Sequence, residues 1–257
     1  TPVVAGHDKF PLDLIRKALR SDLPFQMPEI FCRDNEMNMT LTALNLSEYI
    51  NGVAKRHGEV TREMFPGYTI DSITNGIHLL SWVSPSFKKL YDTYIPGWQS
   101  DYFSLRYALS IPKDQIWQAH LEAKKELIDY VNTRTGAATD CDTFTISFAR
   151  RSTPYKRADL LLSDINRLME INDKTGKMQI IYAGKAHPKD EGGKELIRKI
   201  FAKMKEAGAK IKIVYLDNYD MTLGKLITSG SDVWLNNPLK PQEASGTSGM
   251  KSCLNGV

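Results

Sequence analysis

Apolar residues return at helical spacing over residues 12–19, where Leu12, Ile15 and Leu19 share one face. The same spacing recurs over residues 38–57 (Met39, Leu41, Leu44, Leu46, Tyr49, Ile50, Val53) and predicts one longer helix. Residues 82–98 are aromatic but interrupted by Pro85, Pro96 and Gly97, which predicts an irregular crossing between domains. Over residues 113–132, Ile116, Ala119, His120, Ala123, Leu127, Ile128 and Val131 fall on one helical face, and a polar loop follows at 135–142. Beyond Thr143 the rhythm changes. Runs at 143–149, 178–183, 211–216 and 232–235 read as strands. Helical patterns at 157–169, 194–207 and 223–227 separate them, and a last helix runs through Lys251. Strand–helix alternation of this kind predicts an α/β fold: a parallel sheet with helices on both faces.

Length and composition narrow the class. The chain has 257 residues, enough for one large or two modest domains. It is 42% hydrophobic and 25% charged, as ordinary globular proteins are. A net charge of +4 is mild, and no basic run with interleaved aromatics points to nucleic acid. No apolar run is long enough for a membrane span, and no signal peptide opens the chain. Cys32, Cys141 and Cys253 are odd in number and, like the five histidines, lack metal-ligand spacing. They suggest a reducing compartment, hence a cytoplasmic location. Residues 1–11 read as loop from their Pro and Gly content. The abrupt start at Thr1, and an end at Val257 where a strand should be running, suggest a piece of a longer protein.

The richest chemistry lies near the end. Asp232-Val233-Trp234-Leu235 reads as a buried strand, and Asn236 to Lys251 is a loop of Pro, Gly, Ser and Thr that opens a helix. In an open α/β sheet, ligands bind at the carboxyl ends of strands. The first N–H groups of a helix lack internal partners and favour anions. Small residues at Ser245, Gly246, Ser248 and Gly249 allow a phosphate to approach, Thr247 adds a hydroxyl, and Lys251 stands one turn in. The plain alternative is a solvated loop capping an ordinary helix. At the end of the first strand, Arg150, Arg151, Lys156 and Arg157 crowd into eight positions. On the same sheet edge, such cations hold anionic oxygens by charge-assisted bonds. Thr74-Asn75-Gly76 is a turn signal, and the Asn75 amide, both donor and acceptor, suits a sugar hydroxyl.

The string Glu243-Ala244-Ser245-Gly246-Thr247-Ser248-Gly249-Met250-Lys251 resembles the pyridoxal-phosphate loop of the α-glucan phosphorylases, the glycogen, starch and maltodextrin phosphorylases. Asn51-Gly52-Val53-Ala54-Lys55-Arg56-His57, Thr74-Asn75-Gly76 and the 150–157 segment resemble other parts of the same family, so the likeness spans nearly the whole chain. It implies a GT-B-like glycosyltransferase architecture. Residues 1–78 would be a mainly helical remnant of the N-terminal catalytic domain with its hinge, and 79–257 the first part of a Rossmann-like cofactor domain, its sheet incomplete. It implies pyridoxal 5'-phosphate held covalently at Lys251, with Arg150, Thr247, Ser248 and Tyr219 around the cofactor. Arg151 and Lys156, five positions apart, would bind the substrate phosphate. Asn75, Glu243, Ser245 and Gly246 would hold sugar hydroxyls. Arg150 stands where many members have Lys, and Asp220 where well-known members have Arg.

The activity so implied is phosphorolysis of the terminal unit of an α-glucan or maltodextrin by inorganic phosphate, giving α-glucose 1-phosphate with retention. The cofactor phosphate, sharing a proton with substrate phosphate, would take part in the chemistry. The resemblance implies neither nucleic-acid nor membrane partners and leaves homo-oligomer assembly of the full-length protein open. The piece alone is expected to be inactive, because the family's catalytic-site histidine would precede Thr1. Two other readings stand. Nucleotide-sugar GT-B enzymes, of glycogen or starch synthase type, often carry a second glutamate eight positions after the first. Here Lys251 stands eight positions after Glu243, and an amine suits an aldehyde where a carboxylate suits ribose hydroxyls. The other reading is a non-catalytic fragment.

Overall fold

The computed structural model of this chain describes residues 6–20 and 22–257. The described residues fall into two units. One runs to Asn75 and includes Leu239–Ser245; the other comprises Gly76–Pro238 and Gly246–Val257.

In the first unit, strands β1 (Lys9–Pro11), β2 (Cys32–Arg33) and β3 (Glu36–Asn38) form a small antiparallel sheet in the order β1-β3-β2. The expected loop over residues 1–11 is therefore corrected at β1, and its first five residues lie outside the described ones. Helices α1 (Leu12–Ala18), α2 (Leu23–Gln26), α3 (Pro28–Phe31), α4 (Met39–Leu46) and α5 (Lys55–Met64) make up most of the rest. Ile15, Phe31 and Met37 form its core.

The single helix expected over 38–57 does not exist. Asn38 caps α4 by accepting a bond from the Leu41 N–H at 3.1 Å, and α4 ends at an extended Ser47. Strand β4 (Asn51–Gly52) then pairs in parallel with β5 (Asp71–Ser72) before α5 begins. Tertiary contact breaks the periodicity: a Cβ on Gly52 would stand 2.6 Å from the Gly58 nitrogen. His57 accepts the Val53 N–H on Nδ1 at 3.0 Å, the structural use of a helix-start histidine. No turn forms at Thr74-Asn75-Gly76; the Asn75 N–H instead donates to the Val53 carbonyl at 3.0 Å, continuing the β4–β5 pairing.

The second unit opens with α6 (Leu79–Trp82) and α7 (Pro85–Tyr94), so the irregular crossing expected over 82–98 is corrected: residues 85–94 are a regular helix within this unit, and turns occupy only 95–98. Pro85 starts α7, at the one helical position where its missing N–H costs nothing, and Ser84 caps it by accepting from the Phe87 N–H. Phe87, Tyr91 and Trp98 are buried with Ala119 of the long helix α8 (Lys113–Thr135) and with Leu254. Gly136, left-handed, ends α8.

Four strands follow: β6 (Phe144–Ala149), β7 (Met178–Ala183), β8 (Lys212–Leu216) and β9 (Val233–Trp234), all parallel, in the order β8-β7-β6-β9. Side chains alternate between two cores, as the strand period requires. Ala149, Ile181, Ala183, Val214 and Leu216 pack against α8 and α11 (Met221–Ser229). Phe148, Ile180 and Tyr182 face α9 (Ile165–Thr175) and α10 (Glu191–Ala207). The helix expected from residue 157 begins at Ile165, because Arg157 is left-handed at φ 53° and Asp164 is the cap, accepting from the Arg167 N–H. After the loop comes α12 (Thr247–Leu254).

A buried cluster locks α8 to the amino-terminal end of this sheet. Asp232 accepts from Lys124 Nζ at 2.7 Å, His120 Nε2 at 2.8 Å and the Thr145 N–H at 2.6 Å. Burial works against its ionisation, but the bonds from His120 and Lys124 prevail and hold the carboxyl below the ordinary range. Removing one member of a buried pair strands the other charge, so Asp232→Asn is expected to cost about 3 kcal/mol in urea unfolding. The carboxylate's contribution is present above the ordinary aspartate pKa, about 4, and is lost as pH falls through its lower folded value. A variant that keeps both the parent's midpoint and its acid-side slope would show that the cluster stabilises nothing.

Candidate functional site

Chain order and sheet order together locate the site. From β6 the chain moves outward through β7 and β8, then returns to lay β9 on the other side of β6. The carboxyl ends of β6 and β9 flank this reversal, and a crevice there is where open α/β sheets bind ligands.

Two segments meet at that point. Arg150, directly after β6, is buried and donates from Nη1 to Asn236 Oδ1 at 2.6 Å. Arg157 donates from Nε to the Asn237 carbonyl at 2.7 Å, and Asn237 Nδ2 donates back to the Arg157 carbonyl at 3.2 Å. The cation-rich segment is thus fastened to the start of the loop that follows β9. Gly184 completes the floor: it sits at φ 144°, and a Cβ there would lie 2.1 Å from the Arg150 carbonyl oxygen, so only glycine lets the β7 turn pass.

Within this frame the cations differ. Lys156 is buried in a 3-10 turn with Nζ 4.7 Å from the centre of the Tyr155 ring. Arg151 is exposed and makes no side-chain hydrogen bond or ion pair among the described residues. Tyr219 stands close enough to Arg150 to feel its charge; burial pushes its phenol up and the Arg150 guanidinium partly offsets that. Asp220 caps α11, accepting the Leu223 N–H at 2.8 Å, which gives that position a structural occupation.

Gly246, left-handed at φ 70°, is the N-cap residue of α12, and no side chain caps the helix. Its first N–H groups therefore have no side-chain acceptor, and the Ser248 hydroxyl is buried with no hydrogen-bond partner. Both features suit an anionic oxygen at the helix start. The Lys251 amine lies 3.4 Å from the centre of the Trp82 indole ring. Burial pushes its pKa below the ordinary lysine value, which raises the fraction of free-base nucleophile. Lys185, on the turn after β7, is exposed. The donor set, a phosphate-suited helix start four residues before a desolvated amine, fits a phosphorylated aldehyde.

The profile of the family described as Carbohydrate phosphorylase matches residues 11–257. The chain belongs to the carbohydrate phosphorylase family. It is 41% identical to the maltodextrin phosphorylase of Thermococcus litoralis over all of this chain and 34% of the relative. It is 38% identical to the glycogen phosphorylase of Aquifex aeolicus over 86% of this chain and 36% of the relative. The glycogen phosphorylase of Mycobacterium tuberculosis is 35% identical over all of this chain and 34% of the relative. The chain thus spans about a third of the length of these curated relatives.

Of the residues singled out in this phosphorylase-family sequence, the second unit contains Arg150, Arg151, Lys156, Tyr219, Gly246, Thr247, Ser248 and Lys251. Asn75, Glu243 and Ser245 belong to the first. Three residues were not foreseen: Trp82 against the Lys251 amine, Asn236 against Arg150, and Asn237 against Arg157. Asn236 and Asn237 could have been found, since Asn-Asn-Pro directly after a predicted strand marks its functional end. Nothing local in the sequence links Trp82 to Lys251. Among the described residues no His, Cys, Asp and Glu group could hold a metal ion, and no helix is long and apolar enough to cross a membrane.

Proposed function

We propose that this chain is part of an α-glucan phosphorylase, acting on the terminal glucosyl unit of an α-glucan or maltodextrin with inorganic phosphate to give α-glucose 1-phosphate. The observation that carries the reading is the Lys251 amine: desolvated, one turn into an uncapped helix, at the carboxyl edge of a parallel sheet. The family membership and the names of the relatives agree with it. In this reading, residues 1–78 close an N-terminal domain and 79–257 begin a Rossmann-like domain of a GT-B-like enzyme. The location is cytoplasmic, with homo-oligomer assembly open for the full-length protein.

The cofactor proposed is pyridoxal 5'-phosphate, held covalently by Lys251. When bound, it supplies a phosphate group able to exchange a proton with substrate phosphate. The chain's own residues do the rest. The N–H groups at Thr247 and Ser248, with the Ser248 hydroxyl, donate to the cofactor's anionic oxygens, and Arg150 adds a fixed positive charge that Asn236 orients. Tyr219 closes the pocket beside Arg150. Arg151 and Lys156 bind the substrate phosphate and offset its repulsion from the second anion, which otherwise raises the pKa of one of the two. Asn75, Glu243, Ser245 and Gly246 hold glucosyl hydroxyls, each as donor or acceptor.

The test uses the full-length protein, supplied with pyridoxal 5'-phosphate. Glucose 1-phosphate should appear from maltoheptaose and phosphate, and the residual activity of cofactor-stripped protein should rise on reconstitution. Glucosyl transfer from a sugar nucleotide, with no response to phosphate or pyridoxal, would assign the chain to the nucleotide-sugar branch. Neither activity would leave the non-catalytic reading.

A further inference from the structure

Asn255 follows α12 directly and is fully buried. It is not a left-handed helix cap, since its φ is -111°. Its carboxamide instead reaches three backbone groups. Oδ1 accepts the Ser84 N–H at 2.7 Å. Nδ2 donates to the Trp82 carbonyl at 2.9 Å and to the Lys251 carbonyl at 2.8 Å. One side chain therefore joins the backbone that carries Trp82 to the backbone that carries Lys251, although Trp82 and Asn255 are 173 positions apart. A second buried bond runs the same way, from the Tyr91 hydroxyl to the Leu254 carbonyl at 2.7 Å. Burial lifts the Tyr91 phenol to about 12, so it remains a donor at any working pH.

The side chains register the effect. Lysine has a flexible stem that carries about 2 kcal/mol of rotamer entropy. Keeping its amine on one indole face requires both backbones to be fixed relative to each other. The three bonds to Asn255 do this without touching the amine itself, and the buried amide has no spare donor to give elsewhere.

We propose that Asn255 is a positioning residue for the Lys251 amine, holding the Trp82 and Lys251 backbones as one unit so that the amine stays desolvated against the indole face and ready for reaction. The inference rests on Lys251 as the cofactor-bearing lysine. Its readout is taken without cofactor, so the two can fail separately.

Cofactor-stripped full-length protein is acylated with acetic anhydride across a pH series, and peptides are quantified by mass spectrometry. Lys205, exposed on α10, is the internal reference. In the parent, half-maximal labelling of Lys251 should fall at a lower pH than that of Lys205. In Asn255→Ala it should move up to the Lys205 value, and the excess labelling of Lys251 over Lys205 at pH 8 should be lost, since a higher pKa leaves less free base at that pH. An unchanged Lys251 profile in a folded Asn255→Ala protein overturns the proposal. If that variant does not fold, hydrogen exchange of the parent decides. The Ser84 amide and the hydrogen-bonded amides of the last turn of α12 should show one common protection. Free exchange near Ser84 with α12 still protected overturns the clamp. A borohydride-trapped pyridoxyl group on a lysine other than Lys251 would sink the cofactor assignment instead, leaving the acylation result to judge Asn255 by itself.

Discussion

Lys251→Ala in the full-length protein should abolish the borohydride-trapped pyridoxyl adduct, which in the parent is expected on the peptide containing Lys251. The expectation rests on a lysine whose amine burial keeps below the ordinary pKa, beside Trp82, on a helix whose start has no side-chain cap. The variant should retain weak, non-covalent cofactor binding, because the Thr247–Ser248 helix start and Arg150 are untouched. Activity without added cofactor should drop roughly 100-fold, the advantage a covalent link gives over a dissociable one. Excess cofactor should restore part of it. That partial rescue is distinctive. In most pyridoxal enzymes the lysine-linked ring is the electron sink, whereas here the cofactor phosphate is the proposed participant. A pyridoxyl label persisting in the variant, on Lys185 or elsewhere, would refute the assignment of Lys251 and leave the family untouched.

Arg151→Ala should depress use of phosphate far more than use of glucan. Arg151 projects from the carboxyl end of β6 beside a buried Arg150 and is exposed, with no side-chain partner among the described residues. An arginine placed so can meet an incoming anion without first breaking a bond. Loss of one charge-assisted partner to a desolvated phosphate costs roughly 2–4 kcal/mol, or about 30- to 1000-fold in kcat/KM for phosphate. KM for glucan should stay within about threefold, since the proposed sugar contacts are made by other residues. Arg151→Lys should recover only part of the loss, because the ammonium lacks the planar fork. Phosphate kinetics within threefold of the parent would mark Arg151 as an ordinary surface cation.

Local physics made much of the second unit legible. β7 lies where its mainly apolar run predicts, and α8 buries the predicted Ala119, Ala123, Leu127, Ile128 and Val131 face. Both signals need only neighbours in sequence: a strand's period of two, a helix's of 3.6, and an element long enough to repeat them. The α12 start was readable for the same reason, since glycine, small residues and a lysine one turn later act within a single helix turn. Where the local rule and the tertiary structure disagreed, the tertiary structure prevailed. The 38–57 periodicity breaks because Gly52 must press against the Gly58 backbone while pairing with β5. Proline at 85 starts a helix because Ser84 caps it and Phe87 and Tyr91 have a core to enter.

The environment of the candidate site divides along the same line. The sequence by itself determined which groups stand at the strand ends: the cations of 150–157 and the small-residue loop leading to Lys251. Only the tertiary structure decided their partners, placing Asn236 against Arg150, Trp82 against the Lys251 amine, and Asn255 between the Trp82 and Lys251 backbones. The reason is range. Periodicity and capping are set by interactions within a few residues, whereas the Arg150–Asn236 and Trp82–Asn255 bonds join positions 86 and 173 residues apart, and only the packed sheet and helices bring them within bonding distance.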